Sequence, residues 1–269
     1  SISRRNCIGS VHISVCAHIG ADIINIISSS IIVRYSTSSG VDIIDGADGN
    51  DTINSGGGND GITGGTGNDT INAGDGIDTI NSESGTDSVD GGAGNDTLIG
   101  NAGDNILDGG TGADTITSGS GSDTIVIRSG DGGASQSDGD TVSDFTDGTD
   151  SIGLDSIGFD DLTITEISNN AVIKEGSNFL TTLTGISASA ITAVDFQSTS
   201  TSAVTYNGTS GNDTMVGGAG NDTFNGGAGS DTLLGWGGND TFNIRSKSGA
   251  FVDTITGGAG TDTLNISYT

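Results

Sequence analysis

The chain has 269 residues and carries 35 Asp and Glu against 7 Lys and Arg, a formal net charge of −28. That balance excludes nucleic acid and anionic membrane surfaces as partners, since both are held by clustered Lys and Arg, and no window approaches the ~18 uninterrupted apolar residues of a membrane helix. With 49 Gly, no Pro and 4% aromatic residues, a self-repelling disordered chain and a cation binder remain, and periodicity decides between them.

Residues 1–36 form an N-terminal strand-rich extension. "SVHISVCAHIGADIINIISSSIIVRY" (10–35) alternates apolar and polar side chains, the mark of strands with one buried face. "IGADIIN" (19–25) keeps a Gly two residues before an Asp, as an eroded copy of the repeat that follows. The segment reads either as extra strands on the N-terminal end of that repeat or as an apolar edge for strand addition by another molecule. Cys7 and Cys16 admit two readings, one bridge in an oxidising compartment or two unpaired side chains in strands. Residue 1 is Ser and no signal peptide is visible, which leaves a removed leader or an export signal elsewhere.

From residue 37 a nine-residue phrase takes over. A loose copy, "TSSGVDIID" (37–45), is followed without a break by "GADGNDTIN" (46–54), "SGGGNDGIT" (55–63), "GGTGNDTIN" (64–72), "AGDGIDTIN" (73–81), "SESGTDSVD" (82–90), "GGAGNDTLI" (91–99), "GNAGDNILD" (100–108), "GGTGADTIT" (109–117) and "SGSGSDTIV" (118–126). The glycine-rich first six positions permit positive φ and a tight turn. The last three set one apolar residue between two polar ones, a minimal strand with one side chain inward. One such strand buries almost nothing, so the units must stack to make a core. Two nonads complete a coil of a parallel β-roll, residues 18 apart lie ~4.8 Å apart on neighbouring strands, and the roll over 37–130 is roughly 24 Å long.

Between 131 and 207 the phrase stops. "DLTITEI" (161–167), "NAVIKEG" (170–176) and "NFLTTLTGI" (178–186) read as antiparallel strands, and "SASAITAVDF" (187–196) as a short helix with Ser at its start. This capping β-segment is expected to cap a roll end that would otherwise expose unpaired strand edges, with a ligand-binding subdomain as the other reading. The linker "QSTSTSAVTYNG" (197–208) leads to a second roll over 208–269, with "GTSGNDTMV" (208–216), "GGAGNDTFN" (217–225), "GGAGSDTLL" (226–234), "GWGGNDTFN" (235–243) and, after an insertion, "GGAGTDTLN" (257–265).

Stacking sets the sixth-position carboxylates in columns: Asp51, Asp69 and Asp87 in one, Asp60, Asp78 and Asp96 in another. Two carboxylates ~5 Å apart repel by about 3 kcal/mol at an effective dielectric of ~20. A core one side chain wide cannot absorb a ladder of such pairs, but a hard divalent cation between successive turns reverses the sign. Calcium mixes carboxylates and backbone carbonyls in flexible geometry, whereas magnesium demands a strict octahedron and retains its waters. The sites expected to hold calcium are Asp42, Asp51, Asp60, Asp69, Asp78, Asp87, Asp96, Asp114 and Asp123 in the first roll. Asp213, Asp222, Asp231, Asp240 and Asp262 complete the set in the second.

"GGAGNDTLI" and its siblings resemble the nonapeptide repeats of the RTX family of secreted bacterial proteins. The resemblance covers roughly 37–126 and 208–269. It implies multiple calcium ions, held by the sixth-position side chains and by carbonyls of the turn glycines. Asn105, at the sixth position of its unit with Asp104 beside it, departs from the pattern and predicts a weaker site; Gly61, in place of Thr, weakens only a strand.

No enzyme is expected. His12 and His18 lack the spacing of a zinc-protease helix, no G-x-S-x-G elbow occurs, and neither cysteine has a credible catalytic partner. The chain is therefore expected to be all-β, two calcium-binding parallel β-rolls joined by a capping segment, in a non-enzymatic extracellular structural protein. It folds on calcium and self-assembles into a fibre or surface layer through its roll ends and N-terminal strands. Two other readings fit the same repeats: a C-terminal folding and export module of a larger secreted RTX enzyme or toxin, and an ice- or surface-binding adhesin presenting outward Thr and Asn such as Thr52 and Asn54.

Overall fold

The computed structural model describes residues 3–7, 14–16, 22–26, 34–36, 39–245 and 252–267. His12 and His18 lie outside them. The chain divides into two compact units, one of Ser1–Ser151 with Ile164–Ala190, the other of Ile152–Thr163 with Ile191–Thr269.

In the first unit every nonad ends in a short strand, and strands 18 residues apart pair in parallel. Thr52, Ile53 and Asn54 face Thr70, Ile71 and Asn72, and Thr79, Ile80 and Asn81 face Thr97, Leu98 and Ile99. Alternate strands therefore build two sheets. One runs Ser3–Cys7, Asp22–Ile26, Ile43–Asp45, Gly61–Thr66, Thr79–Ser84, Thr97–Ile99, Thr115–Thr117, Asp140–Val142. The other runs Ser14–Cys16, Arg34–Ser36, Thr52–Asn54, Thr70–Asn72, Ser88–Asp90, Ile106–Asp108, Thr124–Arg128. Cys7 and Cys16 thus belong to strands of different sheets.

The core is two columns of single side chains. Ile44, Ile62, Ile80, Leu98 and Ile116 come from one sheet and Ile53, Ile71, Val89, Leu107 and Ile125 from the other, all buried. Most of their outward neighbours are Thr, Ser, Asn and Asp, with Ile43 and Ile106 as exposed apolar exceptions, because each strand has one inward place and β-branched Thr suits the pleated outer face. The turns close only because glycine lines them. Gly94 has φ 140°, and a Cβ there would overlap the carbonyl oxygen of Gly76, its counterpart one coil earlier.

Past residue 126 the coil accepts insertions without losing register: Asp140–Val142 continues the first sheet against Thr115–Thr117. Asn178–Leu183 adds in parallel to Asp140–Val142 and turns the pairing antiparallel through Asn170–Glu175; Leu162–Ile167 is also a strand. Ala171, Val172, Ile173, Leu180 and Leu183 are buried there.

The helix expected over 187–196 does not form. Ala193–Asp195 makes a single 3-10 turn, and Phe196–Ser198 is a strand. Asp195 Oδ2 accepts the backbone N–H of Thr192 at 2.8 Å and its hydroxyl at 3.1 Å. These bonds are those of a helix start, a capping box at Thr192, but the chain passes at once into the strand Phe196–Ser198, and Ile191, Thr192 and Val194 are β-branched residues that lose rotamers in a helix.

The second unit repeats the design in two smaller parallel sheets. Thr205–Asn207, Thr223–Asn225, Thr241–Arg245 and Thr263–Ser267 form one; Thr214–Val216, Thr232–Leu234 and Thr254–Thr256 form the other. Its core is aromatic: Tyr206 stacks on Phe224 and Phe224 on Phe242, each with centroids 4.9 Å apart, beside buried Met215 and Leu233. Register is 18 up to Thr223 and Thr241, then lengthens where Thr241 meets Thr263. Among the described residues no helix is long and apolar enough to cross a membrane.

Candidate metal centres

The sixth residue of each nonad is the last of the turn, and where the nonad opens on a glycine, as at Gly46, Gly64, Gly91 and Gly109, its side chain folds back under that glycine. A Cβ on Gly64 would lie 2.6 Å from Asp69 Oδ2 and one on Gly91 2.8 Å from Asp96 Oδ2. At those two nonads a side chain on the opening residue would crowd the carboxylate beneath it, whereas Ser55, Ala73, Ser82 and Ser118 open other nonads and are themselves buried.

One oxygen of each carboxylate is spent inside the protein. Asp60 Oδ1 accepts the N–H of Asp42 at 2.7 Å, Asp69 that of Asp51 at 2.8 Å, Asp78 that of Asp60 at 2.7 Å, Asp87 that of Asp69 at 2.8 Å, Asp96 that of Asp78 at 2.8 Å and Asp114 that of Asp96 at 2.7 Å. Asp123 Oδ1 accepts the N–H of Asn105 at 2.9 Å. From Asp60 to Asp123 the expected residues are thus brought together in two columns on opposite sides, each side chain clasping the coil before it.

The other oxygen is left over. Oδ2 of Asp69, Asp78, Asp96 and Asp123 is buried and has no hydrogen-bond partner. A buried carboxylate oxygen without a donor is costly and calls for a cation or a proton. Burial raises Asp69 to about 6, Asp96 to about 7 and Asp123 to about 6, against the pull of the amide hydrogen bonds and with neighbouring carboxylates adding to the rise. Asp60, Asp78, Asp87 and Asp114 are raised for the same first reason. Ion pairs among the described residues join Arg128 to Asp108 and, at 3.9 Å, to Asp131, and none reaches Asp60, Asp69, Asp78, Asp87 or Asp96.

The donor set fits a hard, oxygen-seeking ion. Among the described residues no three His, Cys, Asp or Glu side chains converge on one point, so backbone carbonyls must make up the shell around few carboxylates. Calcium tolerates that mixture; zinc, which wants Cys and His, does not.

In the second unit Asp222 Oδ1 accepts the N–H of Val204 at 2.8 Å, Asp231 that of Asp213 at 3.1 Å, Asp240 that of Asp222 at 2.8 Å and Asp262 that of Asp240 at 3.0 Å. Asp222, Asp231 and Asp240 are buried, and burial raises Asp240. The ends differ. Asp213 is half-buried and its carboxylate is held by Thr209, N–H at 2.7 Å and hydroxyl at 2.9 Å, while Asp262 is exposed. Asp42 and Asp51 are buried and stand at the early end of their columns.

Three ladder members lie outside the nonad phrase. Asp140 Oδ1 accepts the N–H of Asp114, Asp150 that of Asp123 and Asp253 that of Asp231, each at 3.0 Å. Burial, then the neighbouring Asp114 carboxylate, pushes Asp140 up to about 8. Insertions hide these residues from a count of nine, but "DTV" (140–142), "DSI" (150–152) and "DTI" (253–255) keep the Asp, the hydroxyl residue and the apolar residue of the repeat. A second ladder also escaped the periodic reading. Fifth-position side chains cap the coil after them: Asn50 Oδ1 accepts the N–H of Asn68 at 2.9 Å, Asn68 that of Thr86 at 3.0 Å and Asn221 that of Asn239 at 2.7 Å.

The family model of the RTX calcium-binding nonapeptide repeat matches residues 35–62, 63–98, 90–125, 99–133, 207–242 and 248–265, together more than half of the chain. No curated protein matches. Among solved structures, the chain is similar to the AlgE6R3 subunit from the Azotobacter vinelandii mannuronan C5-epimerase, determined in solution. The two are 23% identical, the match covers 49% of this chain and 77% of that one, and the TM-score is 0.36.

Proposed function

The chain belongs to the family of RTX calcium-binding nonapeptide repeat proteins, and on that premise we propose that it is a non-enzymatic, extracellular structural protein that folds when calcium reaches its turns and then associates with copies of itself. The observation that carries the calcium reading is the set of buried Oδ2 atoms without a donor, at Asp69, Asp78, Asp96 and Asp123. The residues that would hold the ions are the buried ladder aspartates of both units, with the carbonyl oxygens of the turns. When bound, calcium supplies a compact double positive charge that reverses the repulsion between stacked carboxylates.

The chain's own groups prepare for that charge. Oδ1 clasps the amide of the preceding coil, which fixes the carboxylate plane and leaves Oδ2 turned toward the residue that opens the nonad, a glycine above Asp69 and Asp96. The glycines keep the turns free of side chains, and the inward Ile, Leu and Val columns seal the sites from one side. A core one side chain wide does not offset the ordering entropy of the coils by itself, so binding energy becomes folding energy. Cytosolic calcium leaves such a chain soft, and millimolar extracellular calcium makes it rigid.

The assembly reading rests on Thr263–Ser267. Leu264 and Ile266 continue the positions of Phe242 and Ile244, yet each is 53% exposed. That strand presents apolar side chains that a further coil would cover, whether the same chain supplies it beyond residue 269 or, in the assembly reading, a second copy does. Calcium titration followed by sedimentation and electron microscopy tests the whole. Calcium uptake with growth into elongated particles is expected. Uptake by strictly monomeric particles removes the assembly, and failure to take up calcium removes the function.

A further inference from the structure

Asn105 occupies the sixth position of its nonad and sits in the column Asp51, Asp69, Asp87, Asn105, Asp123. Its Oδ1 does what every ladder carboxylate does, accepting the N–H of Asp87 at 3.0 Å. Only the amide oxygen can accept from an N–H, so Nδ2 takes the place that Oδ2 takes elsewhere: a Cβ on Gly100, the opening residue, would lie 3.0 Å from Asn105 Nδ2. There the difference between a carboxylate and an amide is decisive. Oδ2 of Asp69 or Asp96 is an acceptor with no donor. Asn105 Nδ2 is a donor, and it finds the Gly100 carbonyl at 3.3 Å, which also accepts the Ser82 hydroxyl at 3.0 Å. Both polar atoms of Asn105 are therefore engaged, and the residue leaves no acceptor of its own for a cation.

We propose that Asn105 is a built-in substitute for a calcium ion, closing its own step of the column with hydrogen bonds and dividing that column into two separately loaded segments. The inference rests on the calcium reading of the neighbouring sites. It goes beyond a weakened site, because an amide that merely replaced one ligand oxygen would still contribute Oδ1 to a metal, and here Oδ1 is already engaged by Asp87. Asp104, the residue before it, faces the other way: its Oδ1 accepts the N–H of Ser122 at 2.8 Å, so it does not restore the missing carboxylate.

Counting ions by native mass spectrometry on the intact calcium-loaded chain tests this directly. Asn105→Asp should hold one more calcium than the parent, and Asn105→Ala, which loses the donor but adds no carboxylate, should hold the same number as the parent. An unchanged count in Asn105→Asp overturns the proposal. So does loss of an ion in Asn105→Ala, because that would make the native amide a ligand. If none of the three chains binds calcium, the calcium reading and this one fall together; if all bind but the counts follow neither pattern, only this one falls.

Discussion

Leu98 isolates the contribution of the thin core. It is 0% exposed and is the single inward side chain of Thr97–Ile99, stacked between Ile80 and Ile116. Truncating it to Ala removes its transfer energy and leaves a cavity whose cost depends on how far the surroundings relax. Relaxation is blocked on both sides: the N–H of Thr97 is bonded to Asp78 O at 2.9 Å and that of Thr115 to Asp96 O at 2.8 Å. No second side chain in the strand points inward to fill the gap. Leu98→Ala is therefore expected near the top of the known range for such changes, about 3–5 kcal/mol. Urea unfolding of the chain at saturating calcium reads it, through the shift of midpoint at constant slope. Thr97→Ala, on the outward face of the same strand, is the control and should stay within about 0.5 kcal/mol. A Leu98→Ala cost below about 1 kcal/mol would refute a core built from one side chain per strand.

Other substitutions separate the roles of the repeat positions. Gly94→Ala should prevent its coil from closing and lower the melting temperature in calcium, whereas Gly61→Thr, at a place with nothing within 4 Å of an added Cβ, should stabilise by about 0.5–1 kcal/mol; the reverse order contradicts the turn geometry. Asp96→Ala should weaken calcium uptake measured by calorimetry and free the N–H of Asp78, while Asp213→Ala, whose carboxylate is held by Thr209, should change uptake little. The metal-free protein should respond to pH in the sense set by raised carboxyl values. The folded state holds protons at Asp69, Asp96 and Asp123 more tightly than the unfolded chain does, so its stability is greatest below about pH 4 and is lost as pH rises through about 6 to 7. Circular dichroism in chelator from pH 4 to 8 checks this, and β-structure that increases with pH would contradict it. Calcium affinity should fall as pH is lowered through the same window, because protons and metal compete for the same oxygens.

Much of this was legible because the repeat makes chemistry periodic. A spacing of nine placed one apolar residue in each strand and one carboxylate in each turn, and stacking by 18 paired Asp51 with Asp69 and Ile80 with Leu98 without any knowledge of the coordinates. What escaped was whatever the period does not carry. Asp140, Asp150 and Asp253 follow insertions, and the roll absorbs those insertions in loops while keeping strand register, so spacing hides residues that space brings back into line. The forward caps of Asn50, Asn68 and Asn221 were hidden because Asn at a turn is also explained by tolerance of positive φ. The 187–196 segment carries real helix-start signals, Ser before an apolar run and a capping box at Thr192, and what the sequence does not show is that the sheet claims Phe196–Ser198 as a strand after one turn. Asn105 was visible as a departure, but which of its two atoms faced Gly100 was not.

The central claim is that metal, rather than the apolar core, decides whether the coils form. It is tested most directly by far-ultraviolet circular dichroism of the metal-free chain at neutral pH, titrated with calcium and then returned to excess chelator. The expected result is a coil-like spectrum that becomes β-rich as calcium is added and reverts in chelator. A full β signal that persists in excess chelator at neutral pH would contradict it.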